Sequence, residues 1–294
     1  MRVFVTGATG FVGSAVVQDL LKHGHTVVGL SRSEENAAKL KAAGAEVLPG
    51  DLTDLESLKK GAAESDGVIH CGFIHDFQRF PEVCAVDAAA ITAMGDAMAG
   101  TDKPLVVSSG VAIIAPGRLA TEEMKAPELP NFPRVSEKVA FAQIEKGVRA
   151  MAVRLPPTTH GKGDHGFMEI LINTAKAKGK AAYVGEGANV WPATHRFDAA
   201  QVYRLALEKG KAGASYHAIA EQGVTFKEIE NMIGKKLGLP VESIPAEQAA
   251  EYYGWFGHFA ALSAPSSSEW TRAELGWTPT EIELLPDMDA HYFG

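Results

Sequence analysis

Three glycines at a spacing of three, Gly7, Gly10 and Gly13, stand in the run Thr6-Gly7-Ala8-Thr9-Gly10-Phe11-Val12-Gly13, between a short apolar segment and an amphipathic one. Residues of this type act through their backbone. Gly7 permits a tight turn, Gly10 lets main chain approach a pyrophosphate, and Gly13 allows a helix to pack closely on a strand. Phosphates then meet unpaired N–H groups at a helix N-terminus, where the macrodipole favours anions. The expected ligand is a dinucleotide, held by the stretch from Gly7 through Thr9, Gly10, Phe11 and Val12 to Gly13. An ordinary glycine-rich βα turn is the bland alternative, and the flanking pattern argues against it.

Other candidates follow at the ends of later strands. Leu30 is followed by Ser31-Arg32-Ser33. NAD sites usually place an acid here for the ribose hydroxyls. A small hydroxyl followed by a guanidinium suits a 2′-phosphate instead, so NADP(H) is expected ahead of NAD(H). Glu34 and Glu35 come next, where a helix start accepts acids. Asp51 and Leu52 follow a third strand, at the adenine edge. Cys71, Gly72 and Phe73 follow a fourth, where small residues let backbone pass close to a cofactor. Cys71 reads as a packing thiol rather than a nucleophile.

These residues need elements to hold them. Strands are expected at Arg2–Thr6, Thr26–Leu30, Ala45–Leu48, Gly67–His70, Pro104–Ser108 and Ala150–Arg154. Helices are expected between them at Phe11–Lys22, Glu34–Ala42, Leu55–Gly61, Pro81–Met98 and Val135–Lys146. That alternation predicts an α/β fold, a doubly wound parallel sheet with helices on both faces. The rhythm breaks after Arg154, at Pro156-Pro157 and the Gly161–Gly163 loop. A helix is expected at Phe167–Lys178, a glycine-rich turn at Gly185–Gly187, a strand at Ser215–Ile219 and a helix at Phe226–Leu237. The division is a dinucleotide-binding Rossmann core over residues 1–155, with returning segments near 190–222. Residues 156–294 form mainly a smaller substrate lobe over the strand ends.

With these elements in place, the chain resembles the extended and atypical branch of the short-chain dehydrogenase/reductase superfamily, the NAD-dependent epimerase/dehydratase group. Thr6–Gly13 looks like that branch's TGxxGxxG. Val68-Ile69-His70 is similar to its fourth strand, and Val106-Val107-Ser108-Ser109 to its serine-bearing fifth. Arg154-Leu155-Pro156-Pro157 resembles the segment that packs on the nicotinamide. Glu274-Leu275-Gly276-Trp277-Thr278-Pro279 is similar to the closing motif of extended members. The resemblance implies cofactor contacts from Ser108, Lys138, Leu155, Pro156 and Pro157, and a catalytic Ser, Tyr and Lys, the last two spaced Y-x-x-x-K. Ser109 and Lys138 supply the first and last, but Arg134 stands where the tyrosine belongs.

Tyr and Lys at that spacing share a helix face, and the lysine lowers the phenol's pKa so that it can exchange a proton. A guanidinium cannot shuttle protons near neutrality. Pro133 is expected to open the helix, which would put Arg134 in the first turn, against the macrodipole. Arg134 then either binds an anionic or carbonyl oxygen of the substrate (or a cofactor phosphate), or pairs with Glu137 or solvent. A proton would have to come from elsewhere, and His75, His160 and Tyr183 stand open as sources.

The segment Ala112–Pro133 is long enough to cover a substrate. Tyr252, Tyr253, Trp255, Phe256, His258 and Phe259 either line a pocket or, more often for such a stripe, fill the lobe's core. His160, Asp164 and His165 fit no firm ligand spacing, so no metal is expected. A formal charge of −8 without a basic block argues against nucleic acid. The absence of a long apolar run argues against a membrane span, and two cysteines with no visible leader suit the cytoplasm. The resemblance allows a homodimer through the helices at Pro81–Met98 and Val135–Lys146. The activity expected is NADP(H)-dependent oxidoreduction of a small carbonyl or hydroxyl compound, or an epimerase- or dehydratase-like reaction. A non-catalytic NADP(H)-binding redox sensor is the alternative.

Overall fold

Val3, Phe4 and Val5 of strand β1 (Arg2–Thr6) have no exposed surface, as expected of a strand covered on both faces. Successive side chains alternate between two cores. Val3 and Val5 pack with helix α1 (Phe11–Lys22), and Phe4 packs with α3 (Leu55–Ala63) on the other side. The computed structural model describes residues 1–127 and 132–293. Strands β2 (Thr26–Ser31), β3 (Glu46–Pro49), β4 (Gly67–His70), β5 (Pro104–Gly110), β6 (Arg149–Leu155) and β10 (Ser215–His217) join β1 in one sheet, ordered β3-β2-β1-β4-β5-β6-β10. Every pairing is parallel. The chain therefore winds outward in both directions from β1 and β4, the switch point at which open α/β sheets bind ligands.

Helix α2 (Glu34–Ala43) and the 18-residue α4 (Phe80–Ala97) follow the expected pattern. The helix expected over Val135–Lys146 does not run unbroken. It is a short α5 (Ser136–Ala142) followed by a 3-10 turn over Gln143–Lys146. It also starts at Ser136 rather than Pro133, so Arg134 lies just before the first turn rather than in it.

The second half combines the expected helices over Phe167–Lys178 and Phe226–Leu237 with elements that sequence pattern did not resolve. Strand β7 (Thr158–His160), α6 (Phe167–Lys178), β8 (Ala181–Val184) and β9 (Val190–His195) lead into α7 (Arg196–Lys209). Helix α7 returns to the large sheet, and its Ala199, Val202, Tyr203 and Ala206 share a core with Val16, Val17 and Leu20 of α1. Arg204 clamps the two helices by donating to Asp19 at 2.7 Å. The strand expected over Ser215–Ile219 ends at His217. Strand β11 (Glu221–Thr225), α8 (Phe226–Leu237) and β12 (Val241–Ile244) build the lobe with β8 and β9, and α8 opens on a complete Thr225–Glu228 capping box. Short helices α9 (Ala249–Tyr253), α10 (Gly257–Ala260), α11 (Glu269–Leu275) and α12 (Leu284–His291) close the chain. Met168, Trp191, Phe226, Ile229 and Phe256 anchor a separate core for the lobe. Among the described residues, no helix is long and apolar enough to cross a membrane.

Candidate active site

One cavity of about 2650 Å³ runs over the C-terminal ends of the central strands, beneath the lobe. Its floor begins at the glycine-rich turn. Gly7 sits at φ +65°, and a Cβ there would lie 2.7 Å from the backbone of Cys71, so only glycine lets the turn pass β4. At Gly13 a Cβ would fall 2.0 Å from the Gly7 carbonyl oxygen. Gly10 caps α1 with no side-chain hydrogen bond, and the first turn carries no acid. The α1 terminus thus presents backbone to the cavity, whereas α2 and α3 are capped by Ser33 and Asp54. Gly7, Thr9, Gly10, Phe11, Val12 and Gly13 all line the cavity. This cradle fits a dinucleotide's phosphates.

At the β2 end, Arg32 and Asn36 line the cavity while Glu34 and Glu35 do not, and Glu35 is paired with Lys39 at 2.7 Å. Ser31 and Ser33 do not line the cavity. Ser31 is buried and gives its hydroxyl to the Ser33 carbonyl oxygen at 2.9 Å, and the Ser33 hydroxyl caps α2 through the Asn36 N–H. Both hydroxyls bond within the β2–α2 corner, where Ser31 donates and the exposed Ser33 accepts. Asp51 and Leu52 do line it. The Asp51 carboxylate accepts from the hydroxyl and the N–H of Thr53, at 2.6 and 2.7 Å, and the hydroxyl bond leads in holding its pKa below the usual range.

Cys71, Gly72 and Phe73 lie along the middle of the cavity, with Ser108 and Ser109 beside them and Leu155, Pro156 and Pro157 facing them. Burial pushes the Cys71 thiol up to about 12, which suits packing rather than reactivity. Ser108 donates to the His70 carbonyl oxygen at 2.9 Å and accepts from the Tyr203 hydroxyl at 2.8 Å. Its proton is committed, so of these two serines at the cavity wall Ser109 is the one with a proton to give.

Arg134 and Lys138 both line the cavity. Arg134 does not pair with Glu137. That carboxylate is buried in a bidentate pair with Arg154, at 2.5 and 3.0 Å, and also accepts from Ser215 at 2.8 Å. The Arg134 guanidinium instead lies over the Phe73 ring, 4.3 Å from its centroid, and its Nε donates to Ser136 Oγ at 3.3 Å. Ser136 in turn donates to Asp87 at 2.5 Å, and the other Asp87 oxygen accepts from His70 Nε2 at 3.1 Å. His70 Nδ1 meets the Thr6 hydroxyl at 2.7 Å, beneath the glycine-rich turn. Burial acts to raise the Asp87 pKa, but His70 and Ser136, with the Arg134 charge, outweigh it and hold the carboxyl below its usual range. A buried anion thus sits behind Arg134, connected to it through one hydroxyl.

Sequence reading missed Asp87, Ser136 and Tyr203. A signal existed for Asp87. Val83, Asp87, Ala90, Ile91 and Met94 share one buried face of α4, and a lone carboxylate on such a face needs partners.

Of the three open proton sources, only His75 lines the cavity. Its ring meets Phe73 edge-on at 5.5 Å, so His75 and Arg134 flank one aromatic ring. Burial and then the Arg134 charge lower the His75 pKa. His160 is buried under the lobe and bonded to Asp287 at 2.8 Å. Tyr183 packs on Gly187 and lies 5.1 Å from Lys227, away from the cavity. The aromatic stripe divides. Tyr252, Tyr253 and Phe256 fill the lobe's core, His258 is exposed, and Trp255 and Phe259 face the cavity. The covering segment expected over 112–133 is described except for residues 128–131. It is tied down by Glu122, which accepts from the Thr271 N–H and hydroxyl at 2.8 Å, and by Ala120, which pairs with Ser266. Glu123, Met124, Ala126 and Phe132 of this segment line the cavity.

A doubly wound parallel sheet with this turn at its switch point defines a dinucleotide-binding Rossmann protein. The chain belongs to the NAD dependent epimerase/dehydratase family, whose sequence profile matches residues 3–220, a family that binds NAD(P). An uncharacterized protein of Schizosaccharomyces pombe is 50% identical to it over 295 residues, covering 99% of this chain and 100% of that protein. A 4-hydroxy-2-methyl-3-oxo-4-farnesyl-3,4-dihydroquinoline-1-oxide ketoreductase of Stigmatella aurantiaca is 27% identical over 86% of this chain and 80% of its own. Among solved structures, a dTDP-glucose 4,6-dehydratase of Streptomyces venezuelae with NAD bound superposes with a TM-score of 0.78. It is 22% identical over 98% of this chain and 94% of that chain, which shows a shared fold.

Proposed function

We propose that this protein is an NADP(H)-dependent oxidoreductase acting on a small carbonyl or hydroxyl compound, with Arg134 serving where the superfamily's tyrosine would stand. The observation that carries this reading is the single cavity joining the glycine-rich turn to Arg134 and His75. Arg32 at its β2 end, where Glu34 and Glu35 stay off the cavity wall, supports the 2′-phosphate of NADP(H) over NAD(H). The similarity to a ketoreductase supports carbonyl chemistry. We assign cofactor contacts to Gly7, Thr9, Gly10, Phe11, Val12, Gly13, Arg32, Asp51, Leu52, Cys71, Gly72, Phe73, Ser108, Lys138, Leu155, Pro156 and Pro157. Ser31 and Ser33 flank Arg32 in sequence, and Ser31 donates to the Ser33 carbonyl oxygen.

NADPH, when bound, supplies the hydride that reaches the carbonyl carbon. Arg134 donates to the carbonyl oxygen and stabilises the negative charge that grows there, a task that needs a fixed cation rather than a proton shuttle. Stacking on Phe73 and the bond to Ser136 hold the guanidinium, so little reorganisation accompanies the reaction. Ser109 donates a second hydrogen bond to the same oxygen. With its pKa lowered, His75 is the neutral base that accepts the hydroxyl proton in alcohol oxidation and returns a proton in the reverse direction.

NADPH consumption against a panel of aldehydes and ketones, run beside direct NADPH binding, tests this reading. Turnover that is lost in Arg134→Ala is the expected result. Tight NADPH binding without turnover of any panel member would overturn it. That outcome would favour a redox sensor, the reading supported by the missing phenol and by the hydroxyl of Ser108 being already committed.

A further inference from the structure

Beyond Arg134 the cavity wall is a chain of rings. Phe73, under the guanidinium, meets Phe80 at 6.3 Å, and Phe80 meets Phe77 at 6.0 Å. Phe77 stacks on Trp255 at 5.4 Å with 24° between the planes, and Trp255 meets Phe259 at 6.1 Å. The three phenylalanines hang from the segment after β4, while Trp255 and Phe259 come from the lobe. The wall is therefore assembled from two parts of the chain that are distant in sequence. Every one of these rings lines the cavity.

Phe77 is 46% exposed and Trp255 57%, although Phe256, next to Trp255, is completely buried. The lobe's core thus has its aromatic filling without Trp255. Two large rings that touch each other, and still keep wet apolar faces turned to a cavity, mark a ligand surface rather than a packing surplus. The Arg134 cation stands at one end of this wall.

We infer that the wall binds the flat body of an aromatic ketone or aldehyde, or of the matching alcohol, with its oxygen on Arg134. This deepens the proposed oxidoreductase function and rests on it. An aromatic ring gains offset stacking on Trp255 and Phe77 and leaves no polar group stranded. A nucleoside-diphosphate sugar has the opposite needs. Its hydroxyls would be stripped of water against rings that offer no hydrogen bond in return, and its two phosphates would require cations along a wall of hydrocarbon. The Arg134 guanidinium at the end of the wall matches a carbonyl oxygen.

The test uses the full chain with NADPH and two ketones of twelve carbons, 2-acetylnaphthalene and 2-dodecanone, with UDP-glucose as a third ligand. The naphthyl ketone is expected to show a KM at least tenfold below that of the aliphatic one. Trp255→Ala should raise that KM about tenfold with kcat within threefold, Trp255→Phe should restore most of it, and the 2-dodecanone KM should change less than threefold. Calorimetric binding of 2-acetylnaphthalene in the presence of NADP+ is read separately from turnover. Binding that depends on Trp255 without turnover would sustain the aromatic site while the oxidoreductase reading falls. Equal KM values that Trp255→Ala leaves unchanged, or UDP-glucose binding in preference to the naphthyl ketone, would overturn the aromatic site. Turnover of any ketone would still leave the oxidoreductase reading standing.

Discussion

At the Gly7 end of the cavity the walls are main chain, and at the Trp255 end they are side chains. A Cβ at Gly13 would fall 2.0 Å from a carbonyl oxygen, so the first end has no slack. Phe77 and Trp255 at the other end keep roughly half their surface open. The difference teaches where each kind of recognition resides. A phosphate is met by N–H groups that every residue carries, and the site is set by where glycine lets backbone approach. On the reading proposed above, a substrate is met by particular rings and by Arg134, which substitution can alter without disturbing the sheet.

The sharpest way to break this comparison is Gly13→Ala. It forces the turn open, and NADPH affinity is expected to fall more than about 100-fold, with a loss of stability of roughly 1–3 kcal/mol from overpacking. Calorimetry and thermal denaturation measure the two effects, and near-normal NADPH affinity would show that the turn has slack after all. Next in size is Arg134→Ala, expected to lower kcat/KM by about 100-fold, as for loss of one oxyanion donor. The NADPH dissociation constant should stay within about threefold, and a parallel loss of cofactor affinity would move Arg134 into the cofactor end.

Arg32→Ala should weaken NADPH by about tenfold, the scale of one charged hydrogen bond, and leave NADH unchanged. An equal effect on both cofactors would remove the argument for the 2′-phosphate. The smallest expected effect separates the two cores by pH. Burial, with help from Arg154, holds His217 beside the large sheet at about 4. An unfolded histidine takes its proton near 6.5, so this side loses stability as pH falls from about 6.5 toward 4. Burial raises Glu230 in the lobe to about 8. There the unfolded chain gives up its proton first, and stability falls as pH rises from about 4.5 through 8. Glu230→Gln should therefore melt a few degrees above the native protein at pH 8.5 and match it at pH 5. A gain of the same size at both pH values would place its cause in packing rather than ionisation.

Much of the large sheet was legible because its signals are local. The helices over Phe11–Lys22, Phe167–Lys178 and Phe226–Leu237 match the expected ranges, each stopping at a residue that ends the apolar periodicity. Helix α7 was not resolved, because its apolar face serves α1, almost two hundred residues away in sequence. Ser31 and Ser33 do not line the cavity, for a related reason. A hydroxyl two residues from a carbonyl or a helix start is spent on the nearest backbone group, and residue type alone does not reveal this.

The sequence by itself determined that a glycine-built turn joins a strand to a helix at the head of an alternating α/β chain, and that Arg134 stands four residues before Lys138 where a tyrosine is expected. These are statements about neighbours, and neighbours are what covalent order specifies. Only the tertiary structure decided where the Arg134 guanidinium lies. Glu137, three residues along the chain, is claimed by Arg154, while Phe73, Ser136 and the distant Asp87 fix the guanidinium over the cavity. A long charged side chain takes the partner that burial makes most favourable, and burial is a property of the assembled fold.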